Sequence, residues 1–303
     1  MAKVPTLAAA PEPLPTRVVD NHTHLESIPL RLGQEPAAGG VDVTEYLTAA
    51  HGVGVDRIVQ VGCDVESARA SLDMPSGPAA RLRVGVALHP NEVVAHHRVR
   101  EESPDGLAPT FLARHEIPYD EAFAEISDLA RHSRVCTIAE TGLDYFRAGE
   151  RGRALQRAAF RDHIALAKEL GLPMQIHDRD AHADVLQVLD ADGAPEVTIL
   201  HSFSGDAEFA EECLRRGFFL SFSGTVTFKN ARDLRQAAVG VPADRLLVET
   251  DAPYLTPEPN RGRVNAPFQL PHTIRFLADL REEALEGFCS QISRLSERLY
   301  GPF

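Results

Sequence analysis

The chain has 303 residues, 44% of them hydrophobic and 25% charged, with 31 Lys and Arg against 44 Asp and Glu for a net charge of −13. That length can bury a sizeable core, as one large α/β barrel or as two medium domains. No run of about 18 uncharged apolar residues occurs, which excludes a membrane-spanning helix, and the acidic balance argues against a basic surface that holds nucleic acid by counterion release.

Residues 1–16 (MAKVPTLAAAPEPLPT) combine a single Lys with four prolines where a secretion signal needs a continuous apolar run. They read as a flexible leader, and the expected location is the cytoplasm. Cys63, Cys136, Cys213 and Cys289 are scattered without a CxxC pair, the pattern of reduced, buried thiols. Short apolar, β-branched runs bounded by turn residues predict strands at Arg17 to Asp20, Arg57 to Gly62, Arg83 to Leu88, Arg134 to Ala139, Pro173 to Ile176, Val197 to Leu200, Phe218 to Phe222 and Leu246 to Glu249. Helical patterning lies between them, most clearly over Arg153 to Leu170, Ala207 to Arg216 and Pro271 to Glu286. Strands alternating with helices imply parallel βαβ units, and eight such units match a single-domain TIM (β/α)8 barrel over residues 17–303. A doubly wound open sheet is the runner-up. Asn91 to Pro118 is longer than an ordinary βα loop and carries Pro104, Gly106, Pro109 and Pro118, so it reads as an insertion, either a lid or a solvated surface loop.

Polar residues fall at particular places in this pattern. Asp20, His22 and His24 alternate in VVDNHTHL, so at a strand end all three project to one face. His89 follows VGVAL, Glu140 follows VCTIA, His177 follows PMQI, His201 follows VTIL and Asp251 follows LLVET. In a barrel the carboxyl ends of the strands gather at one mouth, where active sites are built. The other eight histidines, His51, His96, His97, His115, His132, His163, His182 and His272, sit in loops or helical stretches and read as structural or solvated.

Four His, one Glu and one Asp without Cys suit Zn, Mn, Fe, Co or Mg. Six candidates exceed what one catalytic ion needs, which suggests two ions sharing a carboxylate, with Glu140 as the bridge. Such a pair clamps the oxygens of a phosphate and favours phosphoester hydrolysis. Asp251, near the attacking water, is placed to take its proton. Glu249, two residues earlier, is expected on the same face, and Asp20 behind an imidazole, orienting it through its other nitrogen. In SFSGTVTFKN the hydroxyls, the glycine amide, Lys229 and Asn230 form a candidate phosphate cradle, and Arg179 and Arg261 are further candidate phosphate contacts.

Taken together, DNHTHL, ALHP, AETGLDYFR, QIHDRDA, LHSFSG, SGTVTFKNA, VETDAPYL and NRGRVNAP, from Val18 to about Pro267, resemble the TatD family of metal-dependent deoxyribonucleases. The resemblance implies a barrel fold and metal ligands at His22, His24, Glu140, His177, His201 and Asp251, with Asp251 also poised on the hydrolytic water. It implies 3′ to 5′ exonuclease or endonuclease action on DNA with two divalent ions (Mg, Mn or Zn). It also places His89 on a substrate phosphate and Lys229 and Asn230 in the TFKN motif. The sequence departs from the family pattern at Ala87, where the family has Gly, in Asn265-Ala266-Pro267, where it has Asn-Glu-Pro, and in the enlarged loop after His89. An amidohydrolase, lactonase or phosphotriesterase on the same barrel is the rival enzyme reading, and a metal-loaded binding protein without turnover is the rival outside catalysis.

Overall fold

The computed structural model describes residues 5–34, 42–77, 80–107 and 109–303. In chain order its first half holds β1 Val18–Thr23, α1 Ser27–Arg31, α2 Thr44–Gly52, β2 Val55–Gly62, α3 Val65–Asp73, β3 Arg81–Val86, α4 Pro90–His96, α5 Tyr119–Leu129 and β4 Val135–Asp144. Then follow α6 Glu150–Leu170, β5 Met174–Arg179, α7 His182–Asp192, β6 Thr198–Leu200, α8 Ala207–Arg215, β7 Phe219–Phe222, α9 Arg232–Gly240, β8 Leu246–Val248, α10 Leu270–Leu280 and α11 Leu285–Tyr300. The eight strands form one sheet in the order β1 to β8, and with helices between parallel strands this is the (β/α)8 barrel fold. Every residue of β1 and β4 is buried, as both faces of a parallel sheet covered by helices require. No helix among the described residues is long and apolar enough to cross a membrane.

The chain divides into two compact units, residues 1–60, 73–83 and 205–303 in one and 61–72 and 84–204 in the other. In the first, β1 pairs with β2 from Val18↔Val55 to Thr23↔Gln60, and β7 pairs with β8 at Leu220↔Leu246. The segment after β8 returns to β1, where the Asp251 amide donates to the His22 carbonyl at 2.9 Å and Thr23 bridges Ala252. In the second unit β4 pairs with β5 as far as Asp144↔Arg179, and β5 pairs with β6 up to Ile176↔Leu200. Helix ends there follow local rules. The 21-residue α6 stops at Gly171, whose φ of 63° only glycine adopts cheaply, and α4 starts with Pro90 after His89.

Several expectations are corrected. Residues 5–16, expected as a flexible leader, are packed: Ala8 and Leu14 are buried, and the Leu14 amide donates to the Val53 carbonyl at 3.0 Å. Arg275 of α10 reaches the carbonyls of Glu12 and Pro13 at 2.8 and 3.0 Å. A proline-rich extended chain keeps its carbonyls outward, where side chains take them up. Residues 1–4 lie outside the described residues. The stretch Pro271 to Glu286, read as one helix, is α10 and the start of α11 with a break between them. The Asn91 to Pro118 region is not all irregular: α4 occupies its start and a 3-10 turn covers Ala113–Glu116, while residue 108 is not described. Arg114 grips Glu92 with two hydrogen bonds at 2.8 and 2.9 Å, His115 adds a third at 2.8 Å, and a cavity of about 250 Å³ lies beside them.

Candidate metal centre

In the unit that holds β4, the candidates converge on one oxygen. Glu140 Oε1 lies 2.6 Å from His177 Nδ1 and 2.8 Å from His201 Nε2, with His89 Nε2 at 3.8 Å. Cys63 Sγ donates to Glu140 Oε2 at 3.6 Å. This thiol was expected to be buried with the other three, yet it is only part-buried at the site. Glu140 does not follow a strand end as expected. It sits inside β4, which runs five residues beyond Ala139 because Thr141 to Asp144 pair with β5. Gly142 permits that approach. It sits opposite His177 with φ 138°, and a Cβ there would stand 2.2 Å from the His177 carbonyl oxygen.

The electrostatics follow from this packing. Burial disfavours the Glu140 carboxylate, but the imidazoles of His201, His89 and His177 outweigh it and hold its pKa well below the usual range. Burial likewise opposes a charged His177, and Glu140 and Asp144 overcome it, lifting His177 to about 9. Asp144, which sequence reasoning did not single out, lies 3.3 Å from His177 Nε2 and accepts hydrogen bonds from the Asn91 side chain at 3.1 Å and the Arg147 amide at 3.0 Å. Its only sequence signal is its place in the ETGLDYFR run. Burial lowers His89 to about 4 despite Glu140 nearby. The Asn91 amide donates to His89 Nδ1 at 3.1 Å, so the neutral ring carries its proton on Nε2 and presents a donor, not a lone pair.

The other unit gathers His22, His24 and Asp251. The two imidazoles meet edge to face with Nε2 atoms 3.2 Å apart, and His24 Nε2 lies 3.4 Å from Asp251 Oδ1. The main chain fixes them: the His24 amide donates to the Ala252 carbonyl at 2.7 Å and the Asn21 side chain to the Val248 carbonyl at 2.7 Å. Asp20 was expected to orient an imidazole. Its carboxylate instead accepts from the Thr250 amide at 2.8 Å and the Thr250 hydroxyl, and it positions the backbone that carries Asp251. Burial pushes its pKa up to about 8, only partly offset by those bonds. Glu249 accepts from the Ser221 hydroxyl. Asp251 takes a left-handed φ of 53°, which Asp tolerates better than most residues. Asn265, which the sequence marked only within the Asn265-Ala266-Pro267 motif, is fully buried and donates to the carbonyls of Thr250 and Tyr254 at 2.9 and 2.6 Å, holding the Asp251 loop.

The expected phosphate cradle is used internally. Ser223 and Thr225 share a hydrogen bond at 3.0 Å, Thr227 donates to the Gly224 carbonyl at 2.6 Å, and a Cβ at Gly224 would stand 2.0 Å from the Leu255 carbonyl oxygen. Lys229 and Asn230 are exposed past this turn. Arg179 is exposed with its guanidinium 4.1 Å from the Phe146 ring centroid, and Arg261 lies 4.2 Å from that of Phe228.

These donor sets fit divalent ions. Within the β4 unit, Glu140, His177 and His201 form one group with ligand atoms within 4.8 Å of one another, while His89, with Nδ1 occupied by the Asn91 amide, stands beside it as a hydrogen-bond donor. Zinc–imidazole bonds of about 2.0–2.1 Å place two nitrogens roughly 2.8 to 3.4 Å apart for right-angle to tetrahedral geometry, and the His22–His24 separation of 3.2 Å falls between these.

A (β/α)8 fold carrying imidazole and carboxylate clusters on and just after its strands defines a metal-dependent hydrolase of the barrel type. The sequence matches the TatD related DNase family over residues 19–301, and the chain belongs to that family. It is 40% identical over 288 residues to the uncharacterized metal-dependent hydrolase TatD of Mycobacterium tuberculosis, covering 94% of this chain and 98% of that one. The 3'-5' ssDNA/RNA exonuclease TatD of Cronobacter sakazakii is 40% identical over 171 residues, 54% of this chain and 64% of its own length. The crystal structure of YJJV, a TatD homolog from Escherichia coli, superposes with a TM-score of 0.76 at 23% identity, covering 95% of this chain and 99% of that one, and shares the fold.

Proposed function

We propose that this chain is a cytoplasmic nuclease that hydrolyses DNA phosphodiester bonds with two divalent ions, Mg, Mn or Zn. The observation that carries this reading is the convergence of His177 Nδ1 and His201 Nε2 on Glu140 Oε1 at 2.6 and 2.8 Å, which gathers one carboxylate and two imidazoles that would hold a divalent ion. His22, His24 and Asp251, gathered in the other unit, are a second group of imidazole and carboxylate ligands that would hold an ion. When bound, such ions lower the pKa of a water and neutralise charge on the phosphodiester. Asp251 accepts the proton of the attacking water. His89, with Nδ1 engaged by Asn91, donates from Nε2 to a phosphate oxygen. Arg179, Lys229 and Asn230 meet flanking phosphates. The name of the Cronobacter relative, a 3'-5' ssDNA/RNA exonuclease, supports a nucleic-acid substrate attacked from its 3′ end.

Product mapping on an end-labelled single-stranded oligonucleotide, paired with elemental analysis of the protein, tests this. The expected result is two metal ions per chain, stepwise loss from the 3′ end, abolition by chelator, and a loss of about 10³-fold in Asp251→Asn. Digestion by Asp251→Asn at the parental rate, or hydrolysis of lactones or amides with none of DNA, overturns the reading.

A further inference from the structure

Among the described residues, the exposed large hydrophobic side chains are Leu30, Leu107, Leu112, Val239 and Tyr254, and Tyr254 is the one aromatic ring of that set, with 46% of its surface exposed. It is not on a loose loop. Its amide donates to the Asp251 carbonyl at 2.9 Å, and its carbonyl accepts from the buried side chain of Asn265 at 2.6 Å. Both ends of the residue are therefore tied to the backbone that bears a candidate ligand. The ring stands edge to face with His24, with centroids 6.2 Å apart, and the Arg31 guanidinium lies over it at 5.9 Å. Leu30, 56% exposed, precedes Arg31 at the end of α1.

A rigidly mounted aromatic ring half-open to solvent presents a flat apolar face on which a ligand can pack. Beside a phosphodiester site, a flat apolar ring with a guanidinium at hand has the chemistry of a base-stacking platform, because every nucleobase offers a π face and each is followed by a phosphate. We infer that Tyr254 stacks on a nucleobase of single-stranded substrate next to the scissile phosphate, with Arg31 meeting the backbone phosphate. Tyr254 is then a specificity-determining residue that favours unpaired nucleotides carrying a base over abasic or fully paired ones. The inference rests on the nuclease reading above.

The chain contains no Trp, so Tyr254→Trp installs a single tryptophan, excited apart from the tyrosines, at the platform. Metal-loaded Tyr254→Trp protein is titrated with a phosphorothioate thymidine oligonucleotide and with an abasic oligonucleotide of equal length and charge. Deep quenching by the first and little by the second is expected. In cleavage assays Tyr254→Ala should raise KM for the thymidine oligonucleotide about tenfold with kcat little changed, Tyr254→Phe should restore it, and KM for the abasic strand should not move. Equal quenching by both strands, or equal KM effects on both, in a protein that cleaves DNA overturns the stacking role alone. If the parental chain cleaves no oligonucleotide, the nuclease reading falls and the stacking role falls with it.

Discussion

A histidine serves as ligand, donor or packing residue according to what its two nitrogens touch, and neighbouring positions in this chain show the difference. His163, fully buried in α6, donates from Nδ1 to the Ala159 carbonyl at 2.7 Å and accepts the Leu88 amide on Nε2 at 3.1 Å. Both nitrogens serve the main chain, and the residue after Leu88 is His89. Burial lowers His163 to about 4, with the Ala159 carbonyl opposing. An unfolded His titrates near 6.5, so the unfolded chain binds more protons between these values. The stability this group contributes is complete above pH 6.5 and is lost as pH falls toward 4, on the order of 3 kcal/mol in all. His163→Leu should cost about 1–3 kcal/mol at neutral pH, since the Leu88 amide loses its acceptor. It should also flatten the acid limb, so that urea midpoints at pH 7 and pH 5 differ less than in the parent. An unchanged difference would show that other groups set the acid sensitivity.

At the scale of elements, β4 and the N-terminal segment hold the sharpest consequences. Gly142 lets β4 run against β5, and Gly142→Ala would drive a Cβ to 2.2 Å from the His177 carbonyl oxygen. The strands must part there, displacing Glu140 and His177 together. The variant should lose at least about 3 kcal/mol and most of its bound metal, as read by thermal denaturation and elemental analysis. A variant that keeps parental metal content would show that the strands accommodate the methyl group without moving the ligands. Removing residues 1–16 exposes the pocket of Leu14 and strips the Val53 carbonyl and Arg275 of partners. That should lower stability by about 2–4 kcal/mol, and an unshifted melting transition would mean the segment only lies on the surface. Sequence periodicity located β4 but stopped it at Ala139, because ETGLD has no apolar alternation. Its last five residues are strand only by virtue of β5. The leader misled for a related reason: a proline-rich segment lacks any pattern, so its docking depends wholly on the side chains it meets.

For the molecule as a whole, a net charge of −13 sets the terms on which a polyanion binds. DNA affinity should be weak in metal-free protein and rise at least about tenfold on adding the ion, by fluorescence anisotropy at fixed salt. Tight metal-free binding would place the cationic contacts in the protein itself. The order of strands and helices, the fold class and the family were legible in the amino-acid sequence, because period-two and helical patterns, turn residues and motif order are all local. The same locality marked the histidines and acids as a set, though it placed Glu140 past a strand that in fact continues to Asp144. Which partner each polar group takes there was decided by tertiary structure. Asp20 was placed behind an imidazole by its spacing, yet it holds Thr250, 230 residues away, and Asn265 spans the carbonyls on either side of the Asp251 loop. Hydrogen bonds between residues far apart in the chain leave no periodic trace, so the set of candidate residues is a property of the sequence, while the partner each takes belongs to the folded molecule.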